Sequence, residues 1–170
     1  NNNSLQPSPN SLFVFIMVIH YQAKHVLLRK KKFVDVHQYE DIITDVSNDE
    51  DIPKFATNIV YLTSAYSIHR MEKQILKSIY QKQPKRADVY WLLHFNETEV
   101  PFQQEYNFYE IVKGKIFRLD FNLGYKVKPN VREMFTNAVE ELSRKGIIDL
   151  LNRYDSLRKH NVNADFLFIV

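Results

Sequence analysis

"NIVYLTSAYSIHRMEKQILKSIYQKQPKRADVYWLLHF" (residues 58–95) is the stretch that decides the fold. Asn58 to Thr63 is a β-rich run of strand length. Residues 67–82 place Ile68, Met71, Ile75 and Ile79 on one face at helical spacing, with Arg70, Lys73, Lys77 and Gln81 largely elsewhere. That spacing predicts an amphipathic helix. Pro84 stands just past its end, where a helix stop is expected. Val89 to Phe95 is a near-continuous apolar run, the pattern of a strand covered on both faces. Strand, helix and strand in this order predict a βαβ crossover. Between the helix and the second strand lies a basic loop with Lys82, Lys85 and Arg86, followed by Asp88. Positive charge at the mouth of a buried strand is either an anion site or a solvated turn.

Downstream the topology changes. Residues 106–112 and 115–123 flank Lys113-Gly114, a short turn with the one residue type that takes positive φ easily. The second arm alternates, with Phe117, Leu119, Phe121, Leu123 and Tyr125 on one face and Arg118, Asp120 and Asn122 on the other. This predicts an antiparallel hairpin with one wet face, or one face that binds something. Pro129 and Asn130 open a further helix, and Asn130 with Glu133 has capping-box spacing. Val131, Phe135, Ala138 and Leu142 supply its buried stripe, and Gly146 ends it. Residues 147–151 have the length to add an edge, and 165–170 read as a strand. The expected class is α/β with an α+β element at the hairpin: a mixed sheet with a βαβ crossover, an antiparallel hairpin and packed helices.

Upstream, residues 1–11 are polar and proline-containing and read as a disordered leader. Leu12 to Ile19 is an unbroken apolar run, far short of the roughly 20 residues that span a bilayer. It reads either as the last turns of a truncated transmembrane helix, with Tyr21 interfacial and Lys24, Arg29 and Lys30 to Lys32 as a basic cytoplasmic flank, or as part of a soluble core. The expected organisation is a leader (1–11), this apolar segment with its basic flank (12–32), a connecting segment (33–54) and an α/β domain (55–170) cut short at its C-terminus.

Composition narrows the chemistry. The chain has 170 residues, a formal net charge of +3, twelve Phe and ten Tyr, and no Cys. Disulfides and thiolate chemistry are therefore excluded. Basic and acidic residues interleave, which gives no reason to expect a nucleic-acid partner. The three glycines, Gly114, Gly124 and Gly146, are too far apart for a phosphate-binding loop. None of the six histidines has metal-ligand spacing on a predicted helix, and neither HExxH nor GxSxG occurs. No cofactor, no metal and no enzymatic activity are expected. His94, at the end of an apolar strand, reads as a structural histidine. Two constellations remain as candidate ligand sites: Lys82, Lys85, Arg86 and Asp88 in the loop, and Arg118, Asp120 and Asn122 on the hairpin. Arginine's fork suits phosphate or carboxylate, and strand ends are where open α/β sheets place ligands. The competing reading is surface charge balanced by nearby acids. Asp88 and Asp120 could also form an acid pair if their strands are neighbours, or could pair with Arg86 and Arg118.

Taken together, "IPKFATNIVYLTSA" (52–65), "KQPKRADVYWLLHF" (82–95), "GKIFRLDFNLGYKVKP" (114–129) and "NRYDSL" (152–157) resemble the cytoplasmic C-terminal region of Kup-type potassium uptake proteins, bacterial members of the KUP/HAK/KT family. The resemblance runs from about Phe13 to Val170, in order and spacing. It implies an inner-membrane protein that takes up potassium with protons, of which this chain is the tail on the cytoplasmic side. The family's ion-path residues lie in membrane helices outside this chain. The implied partners are the transmembrane part of the same transporter and a second copy in a homodimer. A nucleotide effector of the cyclic di-adenosine monophosphate type, met by Lys85, Arg86 and Arg118, is the alternative reading of the tail. A free-standing soluble enzyme is the alternative from another class. Two departures stand out: Lys126 and Lys128 replace the family's usual arginine-and-glutamate wording, and residues 96–101 are less acidic than the family pattern.

Overall fold

The computed structural model describes residues 9–30, 32–81, 83–150, 155–160, 162 and 164–169. The chain divides into two units, Asn1–Lys32 and Phe33–Val170. The first contains one helix, α1 (Pro9–Lys30), on which Leu12 to Ile19 and Tyr21 are exposed. No described helix is long and apolar enough to cross a membrane.

The second unit is built on a five-stranded mixed sheet. In chain order its elements are β1 (Phe33–Asp35), a 3-10 turn (Val36–Tyr39), α2 (Glu40–Asn48), β2 (Lys54–Leu62), β3 (Arg70–Glu72), α3 (Lys73–Tyr80), β4 (Arg86–Thr98), β5 (Gln104–Val112), β6 (Ile116–Gly124), α4 (Val131–Arg144), α5 (Asp155–Arg158) and β7 (Phe166–Ile169). The sheet order is β5-β6-β4-β2-β7, and β1 pairs with β3 in a separate two-stranded ribbon. β2, β4, β6 and β7 run parallel, and β5 is antiparallel to β6. The expected βαβ crossover is therefore β2-α3-β4, and the expected hairpin is β5-β6.

Side-chain alternation along the central strands feeds two cores. Ile59, Tyr61, Tyr90, Leu92 and Ile116 join α2 and α3 in one; Val60, Trp91, Leu93, Leu119 and Phe121 join α4 in the other. Trp91 anchors the second core, edge-on to Phe117 at 4.9 Å and to Phe135 at 5.4 Å between ring centroids. Its indole N–H donates to Asn58 Oδ1 at 3.2 Å, and Asn58 Nδ2 donates to the Asp165 carbonyl at 3.2 Å. One polar relay thus crosses β4, β2 and the start of β7, and the indole's donor has its partner in a dry site.

Local signals set several boundaries as expected. Gly114 takes φ +65° in the β5–β6 turn. Asn130 caps α4 by accepting from the Glu133 N–H, and its own amide donates to Glu133 Oε2 at 2.7 Å. Gly146, at φ +68°, closes α4: its N–H donates to the Ser143 carbonyl and the Ile147 N–H to the Leu142 carbonyl, a Schellman pair.

Other expectations need correction. The helix expected over 67–82 spans only Lys73–Tyr80. Met71 lies in β3 opposite Val34, because the Arg70–Glu72 segment finds a strand partner in β1. Residues 33–54, expected to connect, fold as β1, the 3-10 turn and α2, and place Val36, Ile43 and Val46 in the first core. The expected wet face is covered on β6, an inner strand on which Arg118 and Asp120 are buried, and stays open on β5, where the paired Glu105 and Asn107 are exposed. Residues 147–150 form no strand; Ile148 and Leu150 pack against the second core instead. Lys82 and 151–154 lie outside the described residues.

Candidate functional site

The two constellations singled out in the sequence fall at different levels of the sheet. Arg86 opens β4, whereas Arg118 is level with Leu92 and Asp120 with His94. From Arg86 to Leu92 the strand rises about 20 Å. A ligand held by Lys85 and Arg86 therefore does not reach Arg118, and Asp88 and Asp120 do not meet although their strands are neighbours.

At the amino end of β4 the charge is turned inward, onto the fold. Arg86 Nε donates to the Ser47 carbonyl at 3.2 Å and Nη1 to the Ile52 carbonyl at 3.0 Å, which satisfies the end of α2 and the turn before β2. Asp88 forms a half-buried ion pair with Lys54 at 2.6 Å. Lys85 Nζ donates to Ser78 Oγ at 2.9 Å and lies 5.8 Å from the Phe55 ring centroid. Lys115, from the hairpin turn, donates to Ser47 Oγ and Asn48 Oδ1. Beneath them Tyr90 donates to the Lys85 carbonyl and accepts from the Ala87 N–H. Burial pushes the Tyr90 phenol up to about 12, against the lowering effect of that N–H. The basic loop is a strap joining α2, α3 and the entries of β2 and β4.

Near the carboxyl end of β2, level with the middle of β4 and the first half of β6, lies a second, deeper polar cluster. Arg118 is 0% exposed. Its Nε donates to Asp120 Oδ1 at 2.6 Å, its Nη1 to the Ser67 carbonyl at 2.8 Å and its Nη2 to the Ala65 carbonyl at 2.7 Å. A charge so buried is tolerable because it is both paired and hydrogen-bonded. Glu72 grips the same loop from the other side. One of its carboxylate oxygens accepts from Thr63 Oγ1 at 2.7 Å, and the other from the Ser64 N–H and hydroxyl, each at 2.7 Å. Burial alone would raise the Glu72 carboxyl. The Ser64 N–H and the two hydroxyls together outweigh it and hold the group below its ordinary value. His94 Nδ1 lies 3.0 Å from the Thr63 carbonyl, so it carries the proton. Tyr66, exposed, stands edge-on to the His94 ring. Asn122, the third hairpin residue, accepts from Asn96 Nδ2 at 3.2 Å.

The structure thus brings Arg118 and Asp120 together and adds three residues that sequence reasoning did not nominate, Thr63, Ser64 and Glu72, with the backbone carbonyls of Ala65 and Ser67. No local signal marks them, since Glu72 reads as a helix position and the loop carbonyls carry no sequence information. Chemically the arrangement is a clasp. Arg118 from β6 and Glu72 from β3 hold the 63–67 segment through charge-assisted bonds.

The chain belongs to the family of potassium transporter C-terminal domains: the model of that family, "K+ potassium transporter C-terminal domain", matches residues 56–170. It is similar to the probable potassium transport system protein Kup of Flavobacterium psychrophilum, with 40% identity over 160 residues, covering 94% of this chain and 24% of that protein. The Flavobacterium johnsoniae protein of the same name is 38% identical over 94% of this chain and 24% of its own. That of Clostridium perfringens is 33% identical over 91% of this chain and 24% of its own. The chain spans about a quarter of the length of the curated relatives it matches. No solved structure matches it.

Proposed function

We propose that the unit Phe33–Val170 serves as the cytoplasmic regulatory or assembly domain of an inner-membrane transporter that takes up potassium together with protons. The observation that carries this is the match of residues 56–170 to the potassium transporter C-terminal domain family. The relatives' name, potassium transport system protein, supports the cargo. Residues 12–32 are read as the cytoplasmic end of a last membrane helix, on the strength of an apolar run followed by Arg29, Lys30, Lys31 and Lys32. The clasp and the strap suit a rigid body that braces membrane helices or a second copy, and the ion path belongs to the membrane part. The test is rubidium uptake in potassium-uptake-deficient cells expressing the transporter that carries this domain, intact or lacking residues 33–170. Altered uptake by the shortened protein, with membrane insertion preserved, supports the reading. Identical uptake by both overturns it.

A nucleotide effector is a second reading, favoured by an open cleft lined by Gln74, Lys77, Ser78, Gln81, Gln83 and Lys85 beside the end of α3. Two ammonium groups and three amides suit phosphate and base edges. Saturable titration with cyclic di-adenosine monophosphate, lost in Lys85→Ala, is the expected result. An unchanged melting temperature at saturating nucleotide counts against it.

A further inference from the structure

The 3-10 turn and the 63–70 loop meet at a pair of histidines. The Val36 N–H donates to the His69 carbonyl at 2.8 Å, which fixes the two backbones side by side. Above that bond His37 Nε2 and His69 Nδ1 face each other at 3.2 Å, with ring centroids 5.0 Å apart. Both rings are exposed. Two ligand nitrogens of a tetrahedral zinc-type ion, each at about 2.0–2.1 Å from the metal, stand about 3.3 Å apart. The far nitrogen of His37, Nδ1, lies 3.6 Å from Glu40 Oε2. A carboxylate on that side favours the Nδ1–H tautomer and leaves Nε2 as the acceptor of the His37–His69 hydrogen bond; metal binding then requires His69 to move its proton to Nε2, so that both facing nitrogens are bare. Asp35, whose side chain accepts from the His37 N–H, adds a second negative charge to the turn.

We infer that His37 and His69 form a two-nitrogen site for a borderline divalent transition ion of the zinc class. Among the described residues no group of three or more potential ligands is assembled, so water completes the shell and the ion exchanges readily. Bound metal would link the 3-10 turn to the loop that Arg118 and Glu72 hold, across 32 residues of chain. Imidazole also suits zinc, copper and nickel over magnesium or calcium.

The test is calorimetric titration of the purified 170-residue chain with zinc chloride at about pH 7.5, where imidazole is neutral. His37→Gln, His69→Gln, Glu40→Gln and His160→Gln are titrated beside it, each checked for an unchanged far-UV spectrum. The expected result is one saturable zinc per chain, abolished in either His37→Gln or His69→Gln and unchanged in His160→Gln. Glu40→Gln should weaken binding on the order of tenfold. Magnesium should give no heat. Absence of saturable zinc binding, or binding that survives both His37→Gln and His69→Gln, overturns the inference.

Discussion

Replacing Arg118 with leucine would leave the Asp120 carboxylate buried beside a hydrocarbon and free the Ala65 and Ser67 carbonyls. Breaking a buried pair from one side costs roughly 3–5 kcal/mol, mostly because the surviving charge has no compensation. Chemical denaturation of Arg118→Leu should register that loss, and the double variant Arg118→Leu/Asp120→Leu should recover a large part of it. A double variant no more stable than the single one would mean that the carbonyl bonds, not the ion pair, carry the effect. Glu72 makes a different prediction. Its folded-state value is lowered, so its bonds to Thr63 and Ser64 stabilise the fold fully above 4.5, its ordinary value. That contribution is lost as pH falls through the lower folded-state value. Stability against pH should therefore drop below 4.5 more steeply in the parent than in Glu72→Gln. Parallel curves would exclude Glu72 as the titrating group. Both residues were hard to read in the sequence for one reason. Arg118 alternates with large apolar neighbours as a solvent-facing residue would, and Glu72 sits in a helix-like period. Only the 63–67 segment, folding back over Arg118 and Glu72, turns each inward.

At the scale of elements, the turns and caps carry their own instructions. Asn130 satisfies the Glu133 N–H from its side chain, and Asn130→Ala should cost about 1 kcal/mol in thermal or denaturant unfolding. Gly124 answers to a tertiary constraint instead. Its N–H donates to the Gln103 carbonyl at 2.9 Å, and an added methyl would overlap the Val100 carbonyl oxygen and lie 2.5 Å from the Pro101 carbonyl. Those atoms are backbone and have no rotamer to yield, so Gly124→Ala should destabilise by about 1–3 kcal/mol. An Ala variant as stable as the parent would show that the 100–103 turn gives way easily. Strand and helix positions followed from side-chain period, and α4 with both caps was legible because its signals lie within three or four residues of one another. The start of α3 was not. Ile68 and Met71 continue its apolar period backwards by coincidence, while β1, more than thirty residues upstream, takes 70–72 as its partner.

For the whole molecule the question is where the folding unit begins. The family match starts at residue 56, yet Val36, Ile43 and Val46 complete the first core, and Arg86 is satisfied by carbonyls of Ser47 and Ile52. Residues 33–170 should unfold cooperatively, whereas 55–170 should show exposed apolar surface and rapid proteolysis. A cooperative, protease-resistant 55–170 would mean that α2 is an appendage. The sequence by itself determined the α/β class, the β2-α3-β4 crossover, the hairpin turn at Gly114, the extent of α4 and the likeness to potassium transporter tails. These rest on local rules: alternation sets strand faces, positive φ selects glycine, and a capping side chain reaches only three residues. Tertiary structure alone decided that Arg118 is buried, that the basic loop is a strap, that 33–54 belong to the core and that His37 meets His69. The bonds of His37 to His69, of Arg86 to Ser47 and Ile52, and of Arg118 to Ala65 and Ser67 join residues more than 30 apart in the chain, where burial and pairing depend on which backbone arrives from elsewhere.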